Sequence, residues 1–195
     1  DGTPRMRKRP IGELVEALRL CGADIDYYAS EGYPPLWIEG RHLKADAPLR
    51  MRGNVSSQYV SAMMMVAPMM KGGLTIEIEG GLTSRPYVEM TAALMCHFGA
   101  EVTVGESTIV IEGKPYSPSS LTVESDWSAA SYWYEIKALR PDLDIRLNGL
   151  QSDSLQGDSR VAEYFKLFGV TTEYTDNGVA LGFCDADRDA TLNID

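Results

Sequence analysis

Two kinds of hydrophobic pattern alternate along the chain, one typical of helices and the other typical of strands. Apolar residues recur at helical spacing in three stretches, residues 11–21, 59–70 and 85–98. Stretches in which apolar and polar residues alternate predict strands at residues 23–27, 36–40 and 74–79. Gly22 and Gly99 directly follow two of the helical stretches, where glycine commonly ends a helix. The pattern therefore predicts a protein of mixed helices and strands.

The same order of signals returns at a spacing of about 70 residues. Gly22, Gly99 and Gly169 each separate a helix end from a strand start, and they lie 77 and 70 residues apart. A unit of this length is too long for a solenoid repeat such as ankyrin. Its order, βαβαββ, predicts an α/β fold in which helices pack inward under mixed sheets. In such a fold, the helices that contain Val60 and Leu94 pack side by side beneath a sheet that includes residues 74–79.

The composition is that of a globular protein with a substantial core, at 44% hydrophobic and 24% charged residues. Apolar runs are far shorter than the roughly 20 residues of a membrane span, and no basic and apolar leader opens the sequence. We therefore expect a cytoplasmic protein. Cys21, Cys96 and Cys184 lie far apart, which predicts buried free thiols in a reducing compartment, with neither a disulfide nor a zinc site.

The net charge of −10 is unevenly distributed along the chain. It argues against a nucleic-acid partner, because binding a phosphate backbone needs a concentrated basic surface. Residues 1–121 contain 14 acidic and 12 basic residues, whereas residues 122–195 contain 14 acidic and 6 basic residues. The first part is therefore better able to attract an anion, and its basic residues concentrate at Arg5-Met6-Arg7-Lys8-Arg9.

The strongest candidate for chemistry is the start of the helix at residues 59–70, where Ser56, Ser57 and Gln58 precede the apolar block. A helix N-terminus carries unpaired N–H groups and a partial positive charge. Two hydroxyl groups and an amide at such an end would help the backbone hold a phosphate or a carboxylate. The alternative is a plain N-cap before a core helix.

Six short motifs follow one another along the chain: Thr3-Pro4-Arg5-Met6-Arg7-Lys8-Arg9-Pro10-Ile11, Gly32-Tyr33-Pro34-Pro35-Leu36, Ser56-Ser57-Gln58-Tyr59, Ser84-Arg85-Pro86-Tyr87, Asp126-Trp127-Ser128-Ala129-Ala130-Ser131-Tyr132 and Gln156-Gly157-Asp158. Together and in this order they closely resemble the 5-enolpyruvylshikimate-3-phosphate synthase family. The resemblance covers essentially all 195 residues, but only about the middle half of the family's usual chain. It implies that residues 1–121 are the C-terminal part of the first enolpyruvyl transferase domain and residues 122–195 the truncated N-terminal part of the second.

This resemblance implies transfer of an enolpyruvyl group from phosphoenolpyruvate to the 5-hydroxyl of shikimate 3-phosphate, with release of phosphate. By resemblance, the shikimate phosphate is bound by Ser56, Ser57 and Ser84 and touched by Tyr87, the shikimate ring is bound by Gln58, and phosphoenolpyruvate is bound by Arg5. The resemblance also implies that the family's general acid and bases lie outside this chain. We therefore expect no catalytic residue within the fragment and no activity from the fragment alone. The resemblance implies no metal or organic cofactor.

Each of these assignments has a structural alternative. Arg5 could be a solvated surface charge, Ser84 could only cap the helix that begins near Pro86, and Tyr87 could be a packing residue. Asp126 is interpreted as a helix N-cap with a structural role. The methionines at positions 63–65, 69 and 70 are interpreted as core residues.

Two other functions are also compatible with the sequence. The sister UDP-N-acetylglucosamine enolpyruvyl transferase family shares the fold and the use of phosphoenolpyruvate, although the Ser-Ser-Gln and Ser-Arg-Pro-Tyr motifs favour shikimate. The fragment could instead be a folded binding or assembly module whose exposed faces pair between copies. The expected partners are the two small-molecule substrates, without nucleic acid or membrane. We expect the full-length protein to be a monomer and the fragment to self-associate.

Overall fold

A computed structural model describes residues 2–53 and 57–184, and the chain divides into two units, Asp1–Ser119 and Ser120–Asp195. Unit 1 contains helices α1 (Gly12–Leu20), α2 (Ser57–Val66) and α3 (Arg85–His97), and strands β1 (Asp24–Tyr27), β2 (Leu36–Glu39), β3 (Leu49–Arg52), β4 (Leu74–Glu79), β5 (Val102–Val104) and β6 (Thr108–Ile111). Unit 2 contains helices α4 (Trp127–Leu139) and α5 (Val161–Tyr164), and strands β7 (Ile145–Asn148), β8 (Val170–Thr175) and β9 (Gly178–Phe183).

The main sheet of unit 1 is mixed, as the repeat pattern predicts. Its strand order is β3-β4-β6-β5, with β3 parallel to β4 and the other pairs antiparallel. Strands β1 and β2 form a separate antiparallel pair. In unit 2 the order is β7-β9-β8, and both pairs are antiparallel. Strand β4 coincides with the predicted residues 74–79 because strict alternation buries Leu74, Ile76 and Ile78 on one face.

Helices α2 and α3 pack side by side against this sheet, which confirms the predicted arrangement. The Ser61 and Thr91 hydroxyl oxygens lie 3.0 Å apart, one on each helix. The buried core joins Val60 of α2, Val88 of α3 and Ile76 of β4 in one cluster. Burial of apolar area at about 25 cal/mol per Å² is the main stabilising contribution of such a cluster.

The prediction that the methionines are core residues is correct for only part of the run. Met63, Met64 and Met70 are buried, whereas Met65 is 51% and Met69 is 66% exposed. Helix α2 also ends at Val66, before the predicted end of the apolar block, and a 3₁₀ turn follows at Ala67–Met69. Pro68 explains this early end, because proline has no N–H group with which to continue the helical hydrogen bonds.

The predicted helix ends at Gly22, Gly99 and Gly169 are confirmed. All three glycines have a positive φ, between 82° and 90°, a conformation that costs other residues energy because of their Cβ atom. The N–H groups of Gly22 and Gly99 donate to carbonyls three residues earlier in the chain. The N–H groups of the next residues, Ala23 and Ala100, donate to carbonyls five residues earlier. This is the Schellman arrangement that commonly ends helices.

Unit 2 has its own core beneath its three-stranded sheet. Trp127 and Tyr134 of α4 are fully buried, and the Tyr134 hydroxyl lies 2.8 Å from that of Thr172. Burial raises the pKa of Tyr134 to about 12, so this hydroxyl stays neutral. The buried Lys137 donates from Nζ to the carbonyls of Pro141 (2.9 Å) and Leu143 (2.6 Å). These bonds compensate for burying its charge near the C-terminal end of α4.

All three cysteines are free, but only Cys21 is buried. The prediction of buried thiols is therefore wrong for Cys96 and Cys184, which are exposed. Within residues 2–53 and 57–184, no helix combines the length and apolar character needed to cross a membrane. The same residues contain no group of three or more His, Cys, Asp or Glu side chains arranged to hold a metal ion.

A candidate anion-binding site where helices begin in unit 1

The parallel pairing of β3 with β4 brings two helix starts to one edge of the sheet. Arg52, the last residue of β3, lies opposite Glu79, the last residue of β4. The chain leads from β3 into α2 and from β4 into α3. Since parallel strands end at the same edge, both helices begin there. Their partial positive charges therefore add at one side of unit 1.

Backbone contacts hold the two connecting loops together. The Gly53 N–H donates to Glu79 O (2.8 Å), and the Thr83 N–H donates to Gly53 O (3.2 Å). A Cβ atom at Gly53 would lie only 1.8 Å from Gly81 O. Glycine is required at this position because the two backbones approach so closely.

The start of α1 lies beside the start of α2. The Tyr59 hydroxyl, in the first turn of α2, donates a hydrogen bond to the Pro10 carbonyl, just before α1. Arg52 donates from Nη2 to Glu13 Oε1 at 2.6 Å, which joins the end of β3 to the first turn of α1. Three helix starts therefore lie close to one another in unit 1.

Ser57 and Gln58 occupy the first two positions of α2. Ser57 is half-buried and Gln58 is exposed, so the amide can be reached from solvent. Ser56 lies outside the described residues. The helix start thus carries a hydroxyl and an amide in addition to its own N–H groups, which is a suitable environment for a phosphate or carboxylate.

Ser84 occupies the N-cap position of α3, but its side chain makes no capping hydrogen bond. Its hydroxyl is therefore not committed to the helix in the way that the plain-cap alternative requires. Tyr87, in the first turn, is 52% exposed, which does not fit the alternative of a core packing residue. The neighbouring Arg85 side chain already has two partners within unit 1. It donates hydrogen bonds to Glu89 Oε1 (2.7 Å) and to Gly105 O (3.1 Å).

Arg5 lies in an exposed segment that precedes α1. A single 3₁₀ turn at Met6–Lys8 follows it, and the Lys8 N–H donates to Arg5 O at 3.2 Å. All residues from 2 to 10 are exposed, so the side chains of this basic segment face solvent. The segment joins the cluster of helix starts at Pro10, where the Tyr59 hydroxyl binds.

The corresponding helix start in unit 2 is occupied by side chains of the protein itself. Asp126 Oδ1 accepts from the Ser128 N–H (2.8 Å), and Gln156 Oε1 accepts from the Trp127 N–H (2.9 Å). Asp158 accepts a hydrogen bond from the Ser128 hydroxyl. The interpretation of Asp126 as a structural N-cap is therefore confirmed. Two carboxylates at this end disfavour a bound anion, in contrast to the starts of α2 and α3, whose first turns contain no acidic residue.

Comparison with known proteins gives one family over nearly the whole chain. The family model for EPSP synthase (3-phosphoshikimate 1-carboxyvinyltransferase) matches residues 1–182. The chain belongs to the EPSP synthase family. A 3-phosphoshikimate 1-carboxyvinyltransferase of Bacteroides fragilis is 51% identical over 181 residues, which cover 92% of this chain and 44% of that enzyme. One from Ralstonia pickettii is 44% identical over 173 residues, which cover 86% of this chain and 40% of that enzyme.

The chain thus spans less than half the length of these curated EPSP synthase relatives. Solved structures share its fold at lower identity. An EPSP synthase from Acinetobacter baumannii has a TM-score of 0.69 and 23% identity, covering 93% of this chain and 40% of that one. The enolpyruvyl transferase NikO from Streptomyces tendae has a TM-score of 0.63 and 16% identity, and the match covers 91% of this chain and 43% of that one. These likenesses concern the fold, and they confirm the predicted α/β class.

Sequence reasoning missed a partly buried polar cluster in unit 2 of this EPSP synthase family member. The Glu124 carboxylate accepts hydrogen bonds from Trp127 Nε1 (2.7 Å), the Gln151 N–H (2.8 Å), the Ser154 hydroxyl (2.6 Å) and Gln156 Nε2 (3.0 Å). Partial burial acts to raise the pKa of Glu124, but these hydrogen bonds outweigh it and hold the pKa below the ordinary glutamate value. Glu124 therefore joins the residues before α4 to the loop that contains Gln151.

We expect Glu124→Gln to destabilise unit 2 by about 2 kcal/mol at pH 7, because it removes the charge that four donors share. Since the folded-state pKa is lowered, the carboxylate stabilises the fold above the unfolded-state pKa of about 4.3, and this contribution is lost as the pH falls through the folded-state value. Urea unfolding should therefore show a difference between wild type and variant at pH 7 that shrinks below pH 4. The exposed Glu135→Gln is the control, and an equal difference at both pH values would contradict the prediction.

Proposed function

We propose that this chain is the central part of an EPSP synthase that transfers the enolpyruvyl group of phosphoenolpyruvate to the 5-hydroxyl of shikimate 3-phosphate. The single observation that carries the proposal is the meeting of two helix starts in unit 1, with Ser57 and Gln58 on one and Ser84 and Tyr87 on the other. The 51% identity to a 3-phosphoshikimate 1-carboxyvinyltransferase supports it. In this reaction the 5-hydroxyl oxygen loses its proton and adds to C2 of phosphoenolpyruvate while C3 takes up a proton; elimination then breaks the bond between C2 and the phosphate oxygen and removes a proton from C3, which restores the double bond and releases phosphate.

The proposed roles follow from the chemistry of the two substrates, which are both polyanions. Ser57 and Ser84 donate to the phosphate of shikimate 3-phosphate from helix starts, where the backbone also favours negative charge. Tyr87 contacts the same phosphate, and Gln58 hydrogen-bonds the shikimate ring. Arg5 binds phosphoenolpyruvate, since a guanidinium group matches carboxylate and phosphate geometry. Ser56 is assigned to the phosphate by sequence resemblance.

The two units correspond in this proposal to parts of the two domains of the full-length enzyme. Unit 1 supplies the shikimate phosphate site as the C-terminal part of the first domain, and unit 2 is the N-terminal part of the second. The boundary at Ser119–Ser120 lies two residues before the boundary expected from the sequence, 121/122. The free cysteines support a reducing compartment, which we take to be the cytoplasm.

An exposed apolar groove bears on how the protein associates. It lies on unit 1, has a volume of about 430 Å³ and is lined by Met65, Leu94, Phe98 and Tyr116 among others. We propose that the full-length enzyme is a monomer in which other parts of the chain cover such surface, whereas the isolated chain self-associates through it. The net charge of −10 supports small-molecule substrates over nucleic acid as the ligands.

Substrate titration tests the proposal. The experiment uses a full-length chimera, in which residues 1–182 replace the matching segment of the Bacteroides fragilis relative. Calorimetry should show binding of shikimate 3-phosphate and none of UDP-N-acetylglucosamine. Preference for the sugar nucleotide would favour the sister transferase, and a chimera that bound neither would favour an assembly module.

The purified chain of 195 residues is expected to release no phosphate from phosphoenolpyruvate in the presence of shikimate 3-phosphate. The reason is that the family's acid and base residues are expected to lie outside it. Proton transfer by such groups typically accelerates a reaction a hundredfold or more. A phosphate-release assay beside the chimera measures this. Turnover by the chain alone would show that the catalytic groups lie within these residues.

A further inference from the structure

We infer that Arg52 is an affinity-determining residue for shikimate 3-phosphate, because its guanidinium group neutralises Glu13, a carboxylate at the cluster of helix starts. This inference rests on the proposed function, in which Ser57 and Ser84 bind the phosphate of that substrate. Arg52 acts on the phosphate through the local charge rather than by contact. The physical basis is the ion pair between Arg52 Nη2 and Glu13 Oε1, at a distance of 2.6 Å.

One of the three helix starts differs in charge from the other two. In the part of the chain that the structure describes, the first turns of α2 and α3 contain no acidic side chain, whereas the first turn of α1 contains Glu13. The start of α1 lies beside that of α2, where the Tyr59 hydroxyl donates to the Pro10 carbonyl. A carboxylate there repels a phosphate bound at the neighbouring helix start. Glu13 would therefore weaken the proposed site if its charge were not neutralised.

Arg52 lies where it can neutralise this charge. It is the last residue of β3, at the edge of the sheet where α2 and α3 begin. Strand β3 buries Leu49 and Met51, so Arg52 is on the exposed face. Glu79 lies opposite Arg52 on β4 and adds a second carboxylate at this edge. Because the Arg52 side chain is 65% exposed, its electrostatic field extends into the solvent from which the anion arrives.

The alternative is that this ion pair only fastens α1 to β3. Exposed ion pairs typically contribute little to stability. The two explanations differ in the sign of one result. If the pair only fastens the two elements, loss of either partner breaks the same contact and has the same consequence. If it sets the local charge, loss of Arg52 and loss of Glu13 have opposite effects on phosphate binding.

A closely matched ion pair at the opposite edge of the same sheet provides the control. Lys114 Nζ lies 2.6 Å from Glu101 Oε1. Glu101 precedes β5 and Lys114 follows β6, and both strands have these ends beside Leu74, where β4 begins. The six residues of β4 span about 20 Å. The control pair is therefore about that much further from the helix starts than Arg52 is.

The first test measures binding of shikimate 3-phosphate to the full-length chimera by calorimetry in about 0.01 M salt, where the Debye length is about 30 Å. For a unit charge about 10 Å from a doubly charged phosphate, Coulomb's law in water corresponds to a change of about two- to fivefold. Arg52→Gln should weaken binding by this factor, Glu13→Gln should strengthen it, and the double variant should bind like wild type. Arg52→Lys, which keeps the charge, should also bind like wild type.

Unchanged affinity in both single variants, or a change of the same sign in both, would overturn the inference. Lys114→Gln and Glu101→Gln should each change the affinity by less than about 1.5-fold, because their charges are more distant. A change as large as that of Arg52→Gln would show that the total charge of the protein, not this edge, sets the affinity. The ratio between Arg52→Gln and wild type should approach one in about 1 M salt, where the Debye length is about 3 Å. An unchanged ratio would exclude an electrostatic role.

Ser57→Ala separates this inference from the proposed function. A wild-type chimera that does not bind shikimate 3-phosphate, or a Ser57→Ala variant that binds it as tightly as wild type, would overturn the proposed site and the inference with it. If Ser57→Ala binds more weakly while Arg52→Gln and Glu13→Gln both bind like wild type, the proposed site stands and the inference alone is overturned.

Discussion

Ser57→Ala in the full-length chimera is expected to weaken binding of shikimate 3-phosphate roughly ten- to hundredfold, while lowering the melting temperature by only a few degrees. The hydroxyl is proposed to donate to a charged phosphate, and a hydrogen bond to a charged group contributes about 1.5–3 kcal/mol, which corresponds to that change in affinity. Stability should change less, because Ser57 is itself the first residue of α2 and the N-cap position precedes it. Calorimetric titration and thermal melts measure the two effects.

Ser61→Ala is the matched control on the same helix. Its hydroxyl lies 3.0 Å from that of Thr91 between α2 and α3, so this change should lower stability and leave the affinity for shikimate 3-phosphate unchanged. If Ser57 were only a helix cap, Ser57→Ala would lower stability and leave the affinity for shikimate 3-phosphate unchanged, which is the result expected for Ser61→Ala. Unchanged affinity in Ser57→Ala would therefore remove the start of α2 from the active site.

Gly53→Ala is expected to destabilise unit 1 by about 3 kcal/mol and to lower its melting temperature by roughly 10 °C or more. An added Cβ would lie 1.8 Å from Gly81 O and 2.7 Å from Ile78 Cγ2, and the backbone oxygen cannot move aside as a flexible side chain could. The loops that lead into α2 and α3 would be forced apart. Affinity for shikimate 3-phosphate should fall as well, because Ser57 and Ser84 lie at the ends of these loops.

Gly40→Ala serves as the comparison, because a Cβ there meets no atom within 4 Å. It should change the melting temperature by no more than about 2 °C. Thermal melts followed by circular dichroism, together with titration of the chimera, measure both variants. A Gly53→Ala protein as stable as Gly40→Ala would show that the two loops do not need to approach so closely.

The fold was predictable wherever a short stretch decides its own structure. Alternation at residues 74–79 marks β4 at its observed bounds, and Gly99 ends α3 through a backbone conformation that favours glycine. The burial of individual apolar residues was harder to predict. Met65 and Met69 fit a helical apolar pattern as well as Met63 does, yet they are exposed, because the pattern does not reveal how much neighbouring chain covers each position.

The candidate site was predictable in part. Ser57 and Ser84 were identified as helix starts, since serine before an apolar helical run is a local signal. The hydrogen bonds of Glu124 and Tyr59 were not predicted, because they join residues that are distant in the sequence. Each has its effect through partners far along the chain, such as Gln156, which is 32 residues from Glu124, and Pro10, which is 49 residues from Tyr59.

By itself, the sequence determined the approximate positions of α1, α2, α3, β1, β2 and β4, the glycine-ended repeat and membership of the EPSP synthase family, because these depend on residue type and on spacing within short windows. Only the tertiary structure decided that the starts of α2 and α3 lie at one edge, which follows from β3 pairing parallel with β4 across an intervening helix. It also decided that Tyr59 binds Pro10 beside that edge. Periodicity shows which face of an element is buried, whereas pairing between distant strands depends on how the whole unit packs.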